Sequence, residues 1–348
     1  MKKSSFEYII KVLKSESPKN NPDWYDIMGF LYCNNVAGLF YNRAKKQQIE
    51  LPFKINKLLQ ETFERQKRRV ELMRSETEKI SDELTRFNSG YAFLKGTVLV
   101  NNSDPGIYDD GERISNDIDL LVKSNEIDEI TKVLKSLGYI QGRYNNNTKK
   151  IEEFSRTEVI KRRLTRGEIA PFVRTTNSTE VPFIEVDINF SLGNTPSEYV
   201  KLLVEMIDSS IEYKGRINLR SLNPEMFFLH LIIHQYKECS LMFMTNRGKD
   251  LDLYKLADIY YLLNSNDLDV EKILYLANQY EILEELYTIV AQVSEVFGNS
   301  DLPFNKKSDY LQPVVKDYDT GKEYRWDASV STRIIKFDAK EFLKEIKI

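Results

Sequence analysis

Ser115-Asn116-Asp117-Ile118-Asp119-Leu120-Leu121-Val122 sets two carboxylates two positions apart at the head of an apolar run. On a strand, residues i and i+2 project from one face, so Asp117 and Asp119 stand side by side. Adjacent negative charges repel, and a cation between them relieves the repulsion. A lone D-x-D is equally a solvated acidic turn; the surroundings set this one apart. Leu94-Lys95-Gly96-Thr97 lies upstream, Arg113 lies between, and a second acid-bearing strand follows.

That strand is Val181-Pro182-Phe183-Ile184-Glu185-Val186-Asp187-Ile188-Asn189-Phe190. Its alternation puts Phe183, Glu185, Asp187 and Asn189 on one face and Ile184, Val186, Ile188 and Phe190 on the other. Laid beside the Asp117 strand with matching faces, Asp187 completes a three-carboxylate cluster. Glu185 competes for that place, but the shorter Asp187 side chain fixes its oxygen closer to the strand. Hard oxygen ligands of this kind suit Mg²⁺ or Mn²⁺, which keep waters and bind substrate phosphates as well as carboxylates.

The ordered set Leu94-Lys95-Gly96-Thr97, Arg113, Asp117-Ile118-Asp119-Leu120-Leu121-Val122, Gly138-Tyr139 and Val186-Asp187-Ile188-Asn189-Phe190 resembles the polymerase-β-like nucleotidyltransferase superfamily. More narrowly it is similar to a bacterial branch of uncharacterised nucleotidyltransferases, with an L-K-G loop, an R-x-x-x-D-I-D-L-L-V segment and a later I-D-L-H-W-like strand. The likeness is close from about residue 90 to about residue 190 and looser on both sides. It implies that Gly96 and Thr97 contact the phosphates of a nucleoside triphosphate, that Asp117 and Asp119 bind two metal ions, and that Asp187 assists the attacking hydroxyl. Asn189 stands where the branch has His, which puts substrate contacts there in question. In physical terms, Gly96 lets backbone amides approach phosphate oxygens and Thr97 can donate a hydroxyl hydrogen bond. Lys95 and Arg113 can counter charge on the leaving pyrophosphate. The expected nucleotide-binding residues are therefore Lys95, Gly96, Thr97, Arg113 and Ser115, with Asp117, Asp119 and Asp187 as metal ligands and catalytic acids.

Composition bounds the alternatives. A chain of 348 residues, 41% hydrophobic, with 14 Gly and 10 Pro, is long enough for two or three core-bearing lobes and not disordered. Its net charge of −3, from 50 basic and 53 acidic residues, makes it no general attractor of nucleic acid. Cys33 and Cys239 form no ligand pair or disulfide framework, and a reducing cytoplasm is the simplest setting. Met1-Lys2-Lys3 is not followed by a sustained apolar stretch, so no signal peptide is expected. The run from Met226 to Ile233 is too short to cross a bilayer.

The pattern predicts an α+β fold, with a small mixed β-sheet core over 89–192 flanked by a helical region over 1–88 and another over 193–348 that ends in an irregular tail. Phe6 to Leu13 and Trp24 to Lys46 carry helical apolar patterns. Leu59, Phe63, Gln66, Val70, Met73, Thr77, Ile80, Leu84 and Phe87 alternate steps of four and three, the period of one long helix with a narrow seam. Gln66 and Thr77 weaken that seam as a coiled coil, so packing against the chain's own core is favoured; the oligomeric state stays open. A helix from Asn125 to Leu137 closes on Gly138. The polar interval 143–180 includes a hairpin in which Ala170 to Arg174 pairs back on Val181 to Asp187. Helices follow over 198–207, 224–239, 251–263, 270–280 and 283–296, then a short strand at Arg333 to Phe337.

Basic residues cluster at Lys149, Lys150, Arg156, Lys161, Arg162, Arg163 and Arg166, and at Arg65, Lys67, Arg68, Arg69 and Arg74 on the long helix. The helix set reads as solvated surface; the first set is a minority candidate for an anionic acceptor or triphosphate. His230 and His234 share a helix face without the Glu of a zinc-protease helix, which favours a buried structural histidine. The resembling branch often carries a histidine-bearing helix here, so the resemblance lets His234 reach an acceptor pocket, with Lys255 and Asp258 at the corresponding cation and acid positions. An intrahelical ion pair explains Lys255 and Asp258 equally well.

Three functions remain. The first moves a nucleoside monophosphate from ATP or another NTP to a hydroxyl or phosphate of a small molecule or peptide, releasing pyrophosphate with Mg²⁺ or Mn²⁺. The second uses a protein side chain or tRNA end as acceptor, as in toxin-like relatives; the modest net charge argues mildly against tRNA. The third is an inactive fold kept for binding, against which the three intact aspartates argue.

Overall fold

The computed structural model describes residues 1–19, 22–86, 90–101, 107–166, 168–195, 197–265, 267–298, 304, 312–336 and 339–346. Two compact units share the chain: Met1–Gln66, Gly111–Arg113 and Phe228–Ile348 form the first, Lys67–Asp110 and Ile114–Phe227 the second.

The first unit opens with α1 (Lys3–Leu13), α2 (Trp24–Cys33) and α3 (Ala37–Lys46). Asp23 starts α2 by accepting from the Tyr25 and Asp26 amides, the usual N-cap arrangement. The single apolar pattern expected over Trp24 to Lys46 is two helices. Asn35 sits at φ 56, a left-handed conformation that Asn tolerates and that stops a helix. Asn34 fixes the break, accepting from the Leu253 amide at 3.1 Å. Phe6 meets Phe30 edge-to-face at 5.8 Å within this core.

Helix α4 (Phe53–Arg86) is the long helix that the four-and-three spacing predicts. Its seam turns inward: Leu59, Val70, Met73, Ile80 and Leu84 are buried, as are Gln66 and Thr77. Thr77 meets its polar need within the helix by donating to the Met73 carbonyl at 2.9 Å, so the seam serves the chain's own packing. Phe87 lies outside the described residues.

The second unit is built on a mixed sheet. Along the chain come β1 (Tyr91–Phe93), α5 (Lys95–Leu99), β2 (Asp117–Val122), α6 (Ile127–Ser136), β3 (Ile140–Asn145), β4 (Lys150–Glu153), α7 (Arg156–Arg166), β5 (Phe172–Thr175), β6 (Phe183–Asn189), α8 (Val200–Asp208), β7 (Ile211–Lys214) and β8 (Asn218–Ser221). The strand order is β4-β3-β5-β6-β2-β1-β8-β7. β2 and β6 run parallel at its centre, each with an antiparallel neighbour on its other side. The expected pairing of β5 with β6 is present, and Gly138 ends α6 at φ 84. The parts not foreseen include α7 within the polar interval, the β3–β4 hairpin, and the β7–β8 hairpin that extends the sheet through Ser221 beside Phe93.

The first unit resumes through α9 (Pro224–Cys239), α10 (Met242–Asn246), α11 (Leu253–Leu263), α12 (Val270–Gln279) and α13 (Leu283–Phe297). Tyr260 and Phe297 stack at 4.3 Å where α11 meets α13, and Gly298 closes α13 in the left-handed region. A small sheet of β9 (Val315–Lys316), β10 (Glu323–Trp326) and β11 (Leu343–Glu345) follows, with α14 (Val330–Ile335) between its last two strands. Here the strand expected from Arg333 is a helix: Ser329 caps it by accepting from the Thr332 amide, and a capped turn outweighs the β-branched Ile334-Ile335 pair. Phe337 lies outside the described residues. Among the described residues no helix is long and apolar enough to cross a membrane.

Candidate active site

The parallel register of β2 and β6 builds the site. Asp117 lies opposite Glu185 and Asp119 opposite Asp187, so the acid faces of both strands coincide. Oxygens of Asp117, Asp119 and Asp187 lie within 4.8 Å of one another. Asp119 is buried and the other two are half-buried. Three carboxylates this close repel, and Asp187 shows the strain: burial first, then the charges of Asp119, Asp117 and Glu185, push its pKa up to about 8, against the opposing pull of Lys95. Glu185 is also raised, by burial and then by Asp117, with Arg162 opposing. A donor set of hard oxygens with more acids than the one neighbouring ammonium among the described residues, Lys95, fits a divalent cation such as Mg²⁺ or Mn²⁺.

Helix α5 supplies the rest of this face. The Leu94 amide donates to the Asp119 carbonyl at 3.0 Å, which ties the start of α5 to β2. Lys95 follows at φ 51 and its ammonium bonds the Asp119 carboxylate at 2.7 Å. Gly96 is required by close approach: a Cβ there would sit 2.7 Å from the Ser115 Oγ. Ser115 in turn donates to the Asp117 carbonyl at 2.9 Å. Gly96, Thr97 and Ser115 line one side of a small cavity whose α4 side is Val70, Met73 and Thr77.

Other expected site residues lie in the first unit. Arg113 is gripped by Asp258, its Nε donating at 2.9 Å and Nη2 at 2.9 Å, over the Tyr254 ring at 4.3 Å. Lys255 bonds Glu238 at 2.5 Å and Asp252 at 3.2 Å. Burial opposes its charge, yet Glu238, Tyr254 and Asp252 together raise its pKa. The intrahelical pairing of Lys255 with Asp258 is therefore replaced by two separate pairs, because Arg113 takes up Asp258 with a fork an ammonium cannot offer. His230 is buried, and its ring stacks on that of His234 at 6.1 Å. His234 Nε2 lies 3.5 Å from Glu238.

Of the basic residues of α4, Arg65, Lys67 and Arg68 are exposed as expected, while Arg69 and Arg74 are half-buried. Arg68 pairs with Glu180, Arg74 with Asp110, and Arg69 donates to the carbonyls of Ser115 and Asn116. Arg69 was missed because its partners are backbone atoms, which leave no mark in sequence. Arg162, from the other basic cluster, sits over the Phe154 ring at 4.6 Å and acts on Glu185.

A mixed sheet whose central parallel strands gather three aspartates, beside a Gly-Thr turn of helix, defines a nucleotidyltransferase-like protein. The family model described as uncharacterised nucleotidyltransferase matches residues 20–298, and the chain belongs to that family. No curated protein matches it. Among solved structures, it is similar to an antigenic nucleotidyltransferase-like protein from Paracoccidioides brasiliensis, with 14% identity over 65% of this chain and 96% of that chain and a TM-score of 0.34.

Proposed function

We propose that the second unit transfers a nucleoside monophosphate from an NTP to a hydroxyl or phosphate of a small molecule or peptide, releasing pyrophosphate. The observation that carries this reading is the convergence of Asp117, Asp119 and Asp187 oxygens within 4.8 Å on one sheet face. These three residues would hold the divalent ions, Mg²⁺ or Mn²⁺. When bound, such ions neutralise phosphate charge and lower the pKa of an attacking hydroxyl. The chain's own share is positioning. Asp119 is fixed through its backbone by Leu94 and through its carboxylate by Lys95, and Asp117 through the Ser115 hydroxyl. Lys95, already at the acid cluster, is the cation assigned to the triphosphate oxygens, and Thr97 is assigned a hydroxyl contact to them. Asp187, whose pKa is raised by burial and then by the neighbouring acids, is assigned to the acceptor hydroxyl.

The test is pyrophosphate release from each NTP with Mg²⁺ across hydroxyl and phosphate acceptors. Wild type should release pyrophosphate, and Asp119→Asn should lower turnover by roughly a thousandfold with an unchanged circular dichroism spectrum. Near-normal turnover in that variant removes the mechanism. Failure of the wild type to bind either triphosphate or metal supports a fold kept for binding alone.

A further inference from the structure

We infer that Arg69 on α4 is the positioning residue for the acid-bearing strand, holding the backbone that delivers Asp117 and Asp119 to the cluster. Its guanidinium donates from Nε to the Ser115 carbonyl at 2.7 Å and from Nη2 to the Asn116 carbonyl at 3.2 Å. One planar fork thus spans two consecutive carbonyls, a geometry that a single ammonium cannot copy. The residues it holds lead directly into Asp117. Within the same segment, Ser115 is seated against Gly96 and bonded to the Asp117 carbonyl. The segment is therefore held by two elements, through a side chain of α4 and through the close packing of α5.

Such a grip has a physical purpose. Three carboxylates within 4.8 Å push apart, and a free loop ahead of β2 would let Asp117 swing outward. Metal ligands must hold their place to within fractions of an ångström, and residues that orient ligands through hydrogen bonds govern affinity nearly as strongly as the ligands do. The neighbouring arginines serve other partners: Arg68 pairs with Glu180, and Arg74 with Asp110 and the Val100 carbonyl. Arg68 is thus a matched control, one residue away and on the same helix.

The consequence for activity rests on the nucleotidyl-transfer reading; the contact itself does not. Hydrogen exchange by mass spectrometry and Mn²⁺ titration followed by electron paramagnetic resonance, on full-length Arg69→Gln, Arg69→Lys and Arg68→Gln, separate the two. In Arg69→Gln, amides across 115–119 should exchange faster while the β5–β6 pairing keeps its protection. Mn²⁺ affinity should weaken about 10–100-fold. Turnover should fall while KM for the triphosphate stays near wild type. Arg69→Lys should lie between, and Arg68→Gln should match wild type. Wild-type exchange across 115–119 in Arg69→Gln, or an equal Mn²⁺ loss in Arg68→Gln, overturns the assignment. Should Arg69→Gln not fold, Arg69→Lys decides by the same two measurements. A wild-type protein that binds no Mn²⁺ overturns the nucleotidyl-transfer reading instead, and exchange alone then judges Arg69.

Discussion

Asp187 shows how a single carboxyl reports on its surroundings. Its folded pKa, about 8, lies far above the ordinary 3.8 of an aspartate. A raised acid pKa means that the folded chain keeps a proton the unfolded chain has released, so between pH 4 and 8 the metal-free protein loses stability as pH rises. The same proton competes with metal. Divalent-ion affinity should therefore fall about tenfold per pH unit from pH 8 towards pH 6, and a Mn²⁺ titration that is flat across this range would refute proton competition at Asp187. Gly96 is tested by sterics: Gly96→Ala drives a methyl into Ser115 and should cost about 1–3 kcal/mol in urea unfolding, partly regained with Ser115→Gly. Arg113 is tested by charge, since Arg113→Ala strands the buried Asp258 and should cost roughly 3–5 kcal/mol. Replacing both partners by apolar residues should cost far less.

At the scale of elements, what sequence reveals depends on whether a segment carries its own pattern. β6 alternates strictly, and both its faces were legible; so was α4, whose seam repeats over many turns. The partnership of β2 with β6 followed from two acid faces needing each other. α7 was missed because its residues are mostly charged, although Ser155 and Glu158 announce it: each side chain bonds the other's backbone amide, closing a capping box. Ser155→Ala should loosen the first turn of α7 by about 1 kcal/mol, seen as faster exchange there while the β3–β4 pairing is unaffected. The β7–β8 hairpin was missed for a different reason. Its pairing, Ile211 and Tyr213 opposite Ser221 and Leu219, is too short to stand out before its pairing partner β1 is known. The Arg113–Asp258 pair was illegible because 145 positions separate its members.

For the whole molecule, the proposed cation would link site and stability. Mg²⁺ at about a hundred times its dissociation constant should stabilise the native protein by about 2.7 kcal/mol, read as a calorimetric shift. Asp187→Asn and chelator should each abolish the shift. The two strands that carry the acids are parallel, so they cannot be joined by a tight turn; β3, β4, α7 and β5 all intervene. A ribosome that has made Asp117 and Asp119 has not yet made the three-acid cluster. That cluster comes into being only when a much later stretch emerges and docks alongside, a non-local step of the slow kind. On the proposed reading, the three-acid cluster is thus completed late, at the moment β6 joins β2, and a copy cut before β6 lacks it.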